Sequence, residues 1–437
     1  MGTTRIVLVG AGSSVFGPGL FESAAKIEEL RGATLVLLGH TPERAETTRA
    51  LAARMIAELG AQLSLESTLE PARALDGADF VVCSIGVGGL AARRIDVELP
   101  QEYGVVQTKG DSTGPGGLSR TLRTVPPMLE LARQMERSCP EALLLNYSNP
   151  MTPICTALAL ASKVSVVGMC DGVAMARSFL AGYLGLPPAE LRARCAGVNH
   201  CAWITELSAG GEDVYPRLWQ RLEEIGVQAE PVSFELLRLY GLYPSPADVH
   251  VAKFFPHFLN AAAENGRAWG LSPWPAEQLI CRRAADEETL RQRALGLLPP
   301  EPVKAEVGEA ALAMEIIAAF IGEREMEFTA NLPNAGEAAN LPRGAVVETP
   351  AVAGGRAIRA LSVGDLPAGI AALSEARLAQ QRLIAEAALS GDRAVALQAL
   401  VIDPLMSAVP VARAREMLSR LLAMHERYLP QFRTRGS

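Results

Sequence analysis

The first half of the chain alternates short apolar runs with stretches in which apolar residues recur at helical spacing. Residues 18–30, 42–59, 124–136 and 151–162 have the spacing of amphipathic helices. The Val-, Leu- and Ile-rich runs predict buried parallel strands, which are 6–9, 35–38, 80–84, 143–146 and 164–169. This alternation predicts an α/β fold with a doubly wound, Rossmann-like parallel sheet.

The pattern changes near residue 195. Residues 196–207 predict a strand or strand pair, and 340–348 a turn and a strand. Long amphipathic helices are predicted over 301–321, 366–389 and 412–428. We therefore expect two domains, 1–195 and a mixed α+β domain 196–437, packed closely with the site between them.

Composition narrows the class of protein. Hydrophobic residues make up 49% of the 437 residues and charged residues 20%, which excludes a disordered chain. The net charge of −7 argues against nucleic acid as a partner. Seven cysteines without a C-x-x-C pair predict reduced thiols. With no targeting segment and no run of about 20 apolar residues, the expectation is a cytoplasmic protein without a membrane partner.

The first predicted strand runs into a glycine-rich turn of the form G-x-G-x-x-V. Gly10 would permit the tight turn, and Gly12 would let backbone N–H groups approach a pyrophosphate at a helix N-terminus. An ordinary strand–helix turn is the alternative. The residues predicted to contact a dinucleotide cofactor are those of this turn and two strand ends: Gly10, Gly12, Ser13, Ser14, Val15, Phe16, Ser84 and Asn146.

The second strand lacks the acid that usually binds the ribose 2′-hydroxyl, because Gly39 stands at that position. The choice between NAD and NADP therefore stays open. Arg44 either meets a 2′-phosphate or is a solvated helix residue.

Polar residues also follow later strands, where doubly wound sheets bind ligands. Cys170 and Asp171 follow the strand 164–169, and His200 comes thirty residues after Cys170. A thiolate and an imidazole can share a divalent metal, although spacing alone favours a buried thiol and a hydrogen-bonded core histidine. Asn149 precedes a proline and either faces the crevice or initiates a turn.

Asp111 opens a polar, glycine-rich segment over 111–117, which is interpreted as a loop. Such a loop could close over a substrate or lie on the surface. It is the last of the segments that point to chemistry by pattern alone.

Taken together, the ordered motifs resemble family 4 glycoside hydrolases, the NAD- and metal-dependent glycosidases with a fold related to lactate and malate dehydrogenases. The resemblance covers nearly the whole chain. It depends on Gly10-Ala11-Gly12-Ser13, Val87-Gly88-Gly89-Leu90, Tyr103-Gly104, Thr113-Gly114-Pro115-Gly116-Gly117, Leu122-Arg123-Thr124-Val125-Pro126, Asn146-Tyr147-Ser148-Asn149-Pro150, Cys170-Asp171, Gly197-Val198-Asn199-His200, Asn331-Leu332-Pro333-Asn334 and Asn340-Leu341-Pro342.

The resemblance implies a glycosidase outside the usual two-carboxylate scheme. In this family, NAD removes hydride from C3 of the sugar, a base takes the C2 proton, and a metal, usually Mn²⁺, stabilises the developing charge. The leaving group is eliminated, water adds, and the hydride returns. The net reaction is hydrolysis of a glycoside with retention.

The resemblance also implies roles for single residues. Cys170 and His200 match the metal ligands, and Asn149 matches a sugar-hydroxyl contact. Asp171 would be the general acid for the leaving oxygen. For the C2 base, Asp248 is the first choice and Tyr243 the second, with surface-loop residues as the alternative.

The resemblance also bears on the substrate. The segment around His250 is similar to the branch that acts on unphosphorylated sugars, and Asp111 and His250 are predicted substrate contacts. Gly86 stands where phosphoglycosidases place an arginine for the phosphate. We therefore predict an unphosphorylated α-glycoside as the substrate.

Three alternatives stay open. They are a 6-phospho-α-glucosidase of the same family, a hydroxy-acid dehydrogenase on the same fold, and a non-catalytic nucleotide-sensing module. The resemblance further implies a homodimer or homotetramer.

Overall fold

The computed structural model describes residues 3–12, 17–299 and 309–433. Within these ranges the strands are β1 Arg5–Val9, β2 Thr34–Leu38, β3 Ser64–Thr68, β4 Phe80–Cys83, β5 Leu143–Asn146, β6 Ser165–Met169, β7 Leu191–Val198, β8 Cys201–Ala209, β9 Glu212–Asp213, β10 Pro244–Ser245, β11 Met326–Pro333, β12 Val346–Gly354 and β13 Ala357–Ala360.

The helices surround this sheet. They are α1 Gly17–Lys26, α2 Pro42–Glu58, α3 Pro71–Leu75, α4 Gly89–Gln101, α5 Gly114–Ser138, α6 Met151–Ala161, α7 Gly172–Leu184, α8 Tyr215–Ile225, α9 Pro231–Tyr240, α10 Asp248–Val251, α11 Ala276–Ala294, α12 Glu309–Ile321, α13 Ala368–Ser390, α14 Arg393–Val401 and α15 Val411–Met424. No helix in the described ranges combines the length and apolar character needed to cross a bilayer.

All described strands belong to one sheet, in the order β10-β8-β7-β12-β11-β6-β5-β4-β1-β2-β3, with β9 beside β8 and β13 beside β12. The six strands β3-β2-β1-β4-β5-β6 are parallel, and from β11 onward the neighbours are antiparallel. The parallel order 3-2-1-4-5-6 is that of dinucleotide-binding folds, so the predicted Rossmann-like fold is confirmed.

The core lies on both faces of the sheet. One apolar layer packs the sheet against α5, α6, α13, α14 and α15, and the opposite layer packs it against α1, α2 and α12. A third cluster lies between the hairpin β7–β8 and the helices α7, α8 and α9. Side chains of β1, β4 and β5 alternate between the two layers, which explains their uninterrupted apolar sequences.

Most predicted elements are found, and several further ones were not predicted. The prediction missed β3, whose sequence SLEST is half-exposed at the sheet edge. It also missed α4, in which charged residues interrupt the apolar ones, and α11, which is mainly polar. The loop interpretation of 111–117 is wrong from Gly114 onward, because α5 begins there.

Asp403 explains that early start of α5. Its carboxylate accepts hydrogen bonds from the Gly114 N–H at 2.8 Å and from the Thr113 hydroxyl at 2.9 Å. An acidic group at this position satisfies free N–H groups and complements the helix dipole. The part of the predicted helix 301–321 that precedes residue 309 lies outside the described residues.

Candidate functional site

The turn after β1 forms a backbone cradle. Gly10 has φ +86°, and a Cβ there would lie 2.1 Å from the Ser84 carbonyl oxygen at the end of β4. Only glycine fits this position, which is the point where the strand order reverses. The predicted contacts Ser13, Ser14, Val15 and Phe16 lie outside the described residues. The described part of the turn fits a dinucleotide pyrophosphate.

The two predicted strand-end contacts flank this cradle. The Ser84 N–H donates to the Val9 carbonyl at 2.9 Å, which ties β4 to β1. The Asn146 amide is buried and bonds to Ser148, accepting from its N–H at 2.9 Å and donating to its carbonyl at 3.2 Å. Asn146 therefore shapes the turn after β5.

Asn149 follows in the same turn. Its Oδ1 atom is buried without a hydrogen-bond partner among the described residues. An unpaired buried acceptor costs free energy unless a ligand satisfies it. This atom therefore fits the predicted contact with a sugar hydroxyl.

Five side chains from three separate segments meet in what we call the histidine cluster: Asp111, Ser112, His200, His250 and Lys253. The Nδ1 atom of His200 lies 2.5 Å from the Ser112 hydroxyl and 3.3 Å from His250 Nδ1. Lys253, which is fully buried, donates to Asp111 and to the Ser112 hydroxyl.

Two of these residues are placed by their backbone. His200 sits in the two-residue turn between β7 and β8 with φ +66°, a left-handed conformation that is uncommon outside glycine. His250 lies in α10, with its ring centroid 4.4 Å from that of His200. In the described part of the chain, Asp111, His200 and His250 form the one group of three potential metal ligands, their ligand atoms within 4.8 Å of one another.

Burial and charge set the ionisation of the cluster. Burial lowers the pKa of His200 to about 3 and that of His250 well below its usual range, so both rings are neutral and have a lone pair free to bind a metal. Burial alone would raise the pKa of Asp111, but the positive charge of Lys253 holds it well below the usual value. The cluster thus combines a stable carboxylate with neutral imidazoles.

More positively charged than negatively charged side chains lie next to the histidine cluster. Arg93 lies 3.5 Å from Asp111 Oδ2, with its guanidinium 4.4 Å from the centroid of the Trp274 ring. Burial lowers the pKa of Arg120 to about 10, with Arg93 as the next cause. Arg93 and Lys253 thus both form ion pairs with Asp111, and Arg120 is close enough to feel the charges of Arg93 and Asp111.

Cys170 and Asp171 directly follow β6, which lies next to β5 in the sheet. Cys170 is buried just after β6, and its Sγ accepts from the Gly172 N–H at 3.4 Å. Asp171 is half-buried at the start of α7. Cys170 is not part of the group formed by Asp111 and the two histidines. A thiol and an imidazole are both groups that can bind a divalent metal ion.

Glu348 is a functional candidate that the sequence interpretation missed. It is buried in β12, where it accepts from the Asn199 amide at 3.0 Å and from the Asn331 amide at 3.2 Å. Burial, more than the nearby charge of Asp171, raises the pKa of Glu348 to about 7. Glu348 therefore fixes the side chain of Asn199, the residue before His200.

A common signal could have found Glu348 and Lys253. Each is one charged residue within an apolar stretch, Val346-Val347-Glu348 and Val251-Ala252-Lys253-Phe254-Phe255. Charged residues are seldom buried without a partner, so this pattern indicates a long-range ion pair or polar network.

The two predicted bases have other contacts. The Asp248 carboxylate accepts from the N–H groups of Val232 and Ser233, both at 2.7 Å, and from the Ser233 hydroxyl at 2.6 Å. These bonds make it the cap of the α9 N-terminus. Tyr243 is fully buried and packs on Phe234, with ring centroids 5.5 Å apart. Neither residue is one of the five side chains of the histidine cluster.

Comparison with known proteins identifies the family. The model of family 4 glycosyl hydrolases matches residues 5–186, and the model of the C-terminal domain of that family matches residues 195–406. The chain belongs to glycosyl hydrolase family 4. The fold and the glycosidase class implied by the sequence resemblance are thereby confirmed.

Individual relatives carry different names. An α-galactosidase of Bacillus subtilis is 29% identical over 98% of this chain and 100% of its own. An α-galacturonidase of the same organism is 32% identical, over 78% of this chain and 80% of its own.

Solved structures extend the comparison. A Bacillus subtilis protein described as a glucosidase superimposes with a TM-score of 0.87 at 26% identity, covering 96% of this chain and 100% of its own. A 6-phospho-α-glucosidase from gut microorganisms, solved with NAD and Mn²⁺, gives a TM-score of 0.83 at 21% identity, covering 99% and 100%. A lactate dehydrogenase from Cryptosporidium parvum gives 0.55 at 13%, covering 89% and 98%, which supports the predicted dehydrogenase-like fold.

Proposed function

We propose that this family 4 glycosidase uses NAD and Mn²⁺ to cleave an α-glycoside whose sugar carries a carboxylate at C6. The observation that carries the substrate class is the excess of positive charge near Asp111, supplied by the buried Lys253 and the partly buried Arg93 and Arg120. A relative named α-galacturonidase supports the same class.

Residues of this chain could hold both the NAD and the metal ion. Gly10 and Gly12 form the cradle for the dinucleotide, and Cys170 and His200 would hold the metal as the family resemblance implies. NAD supplies a reversible hydride acceptor and the metal a Lewis acid for charge that develops beside it. Two protein ligands leave coordination positions for substrate oxygens and water.

The remaining roles follow from position. Asp171 is proposed as the general acid for the leaving oxygen, since it is half-buried beside the metal thiol. The unpaired Oδ1 atom of Asn149 would accept from a sugar hydroxyl. His250, kept neutral by burial, and Asp111 would contact the sugar next to His200.

The contacts of Asp248 and Tyr243 favour structural roles for both, as a helix cap and a core residue. We therefore assign neither of them the removal of the C2 proton. His250, whose Nδ1 atom lies 3.3 Å from His200 Nδ1, is better placed for this base than either of them.

The balance of charges in the pocket favours a carboxylate at C6 of the sugar. A buried arginine without an ion-pair partner is costly, and a bound carboxylate would supply that partner bidentately. Gly86 offers no cation where phosphoglycosidases carry an arginine, so the cations here stand elsewhere in the pocket. This arrangement fits a uronic acid better than a 6-phosphosugar or a neutral hexose.

A panel of aryl glycosides tests this function. We expect turnover of an aryl α-galacturonide with NAD and MnCl₂, less with the α-galactoside, and least with the 6-phospho-α-glucoside. Turnover should stop with EDTA and return with Mn²⁺. Incorporation of solvent deuterium at C2 of the product would show elimination chemistry. Equal rates on all three substrates would contradict the carboxylate.

A matched pair of variants ties the preference to the cationic pocket. Arg120→Met should lower kcat/KM for the galacturonide by about 100-fold, because a charged hydrogen bond is lost, and change the galactoside rate only slightly. Arg137→Met, an exposed arginine on the same helix, is the control. Accumulation of NADH without sugar release would instead indicate a dehydrogenase, and binding without any turnover a sensing module. A homodimer or homotetramer stays a prediction for light scattering to check.

A further inference from the structure

A cavity of about 480 Å³ adjoins the dinucleotide cradle. Its walls come from the turn after β1, from α1 and α2, and from α11 in the second half of the chain. The volume lies within the range of small-molecule sites. The polar side chains that line it are Thr41, Glu43, Arg44, Thr47, Thr48, Glu287, Glu288 and Arg291.

Gly39 cannot carry the acid that binds ribose in other dinucleotide folds. A Cβ at this position would lie 2.5 Å from the Ala45 Cβ and 3.0 Å from Leu69 Cδ2. Contacts this short require the start of α2 to move. A carboxylate for the ribose must therefore come from another segment.

Helix α11 places carboxylates in the lining of the cavity. Glu287 forms an ion pair with Arg44, the residue that the sequence offers as a contact for a 2′-phosphate. Glu288 pairs with Arg291 through two hydrogen bonds of 2.8 Å. Three glutamates and two arginines line the cavity, so its side chains carry a net charge of −1. This balance disfavours an additional phosphate.

We propose that Glu287 selects NAD over NADP. Its carboxylate would accept a hydrogen bond from the adenosine ribose and keep Arg44 from pairing with a 2′-phosphate. The acid that other folds place at the end of β2 is thus supplied by a helix more than two hundred residues later. This proposal rests on the proposed function, because it requires a bound dinucleotide.

Isothermal titration of the full-length, metal-free protein with NAD⁺ and with NADP⁺ tests it, with the Kd ratio as the readout. The wild type should prefer NAD⁺ by at least about tenfold, and Glu287→Gln should reduce this preference about tenfold by freeing Arg44. Glu277→Gln is the matched control, since Glu277 is on the same helix, pairs with Arg94 and does not line the cavity.

The double variant Arg44→Ala/Glu287→Gln should lose the gained NADP⁺ affinity. An unchanged Kd ratio in Glu287→Gln, with a normal thermal unfolding curve, would overturn the role of Glu287. Wild-type preference for NADP⁺ would overturn it too. Failure of the wild type to bind either dinucleotide would overturn the proposed function itself.

Discussion

The cofactor cradle and the histidine cluster use different parts of the chain to build a site. The cradle is formed by glycine conformation and backbone geometry. Gly10 illustrates this by its close approach to Ser84. In the histidine cluster, buried ionisable side chains from distant segments, such as Asp111 and Lys253, hold one another. Substitutions at the cradle should therefore act through shape, and those in the cluster through charge and pH.

The largest effect is expected from the predicted metal ligand of the cluster. His200→Ala should lower glycosidase activity on the order of 10⁴-fold, because a metal contributes several kcal/mol through charge stabilisation. Metal content measured by mass spectrometry should fall in parallel. His257→Ala, an exposed histidine, is the control and should keep both metal and activity. Full Mn²⁺ content in His200→Ala would contradict the ligand role.

The ion pair in the cluster should matter next. Lys253→Met leaves the Asp111 carboxylate buried without its main partner and should cost about 3–5 kcal/mol of the free energy of unfolding. Because the folded pKa of Asp111 is depressed, its contribution is present above the unfolded value of 3.8 and is lost as pH falls toward the folded pKa.

Urea unfolding at several pH values measures both effects. Lys163→Met, an exposed lysine, should change stability little. The double variant Asp111→Asn/Lys253→Met should recover part of the loss. If Lys253→Met costs no more than the exposed control, the buried pair does not stabilise the cluster.

A third effect distinguishes Glu348 from Asp111 by its sign. The pKa of Glu348 is raised from 4.5 to about 7, so its contribution to stability is complete below pH 4.5 and is lost as pH rises through 7. The loss amounts to about 3 kcal/mol for a shift of this size. Glu348→Gln should remove this pH dependence in urea unfolding. Glu141→Gln, on an exposed residue, should retain it.

The smallest effect tests the cradle. Gly10→Ala places a Cβ against the Ser84 carbonyl at a positive φ and should cost about 2 kcal/mol of stability, with weaker NAD binding. The loss should be nearly independent of pH. Gly86→Ala is the control, since a Cβ there meets no atom within 4 Å. Equal unfolding temperatures for the two variants would remove the distinction between the regions.

The cradle was predictable because its signals are local. Apolar runs predict β1, β4 and β5, and the spacing of Gly10 and Gly12 predicts the turn. The start of α5 was not predictable, since its stabilising carboxylate, Asp403, lies 289 residues away from Gly114.

The cluster was predictable only in part. Family resemblance brought out Asp111, His200 and His250, which do meet. Lys253 was missed because its burial depends on Asp111, 142 residues distant. Asp248 was the first choice for the C2 base because it is an acid in the expected segment. Its carboxylate instead accepts hydrogen bonds at the α9 N-terminus, a contact that local sequence does not encode.

The continuous sheet has a consequence for how the enzyme admits its ligands. Strand β11 joins β6 through the pairs Ala330–Met169 and Asn331–Gly168, so the two halves share backbone hydrogen bonds instead of a linker. Hinged domain closure needs a few residues that absorb large backbone rotations, and a shared sheet offers none at this junction. Access to the cleft would then depend on movements of helices and loops above the strands.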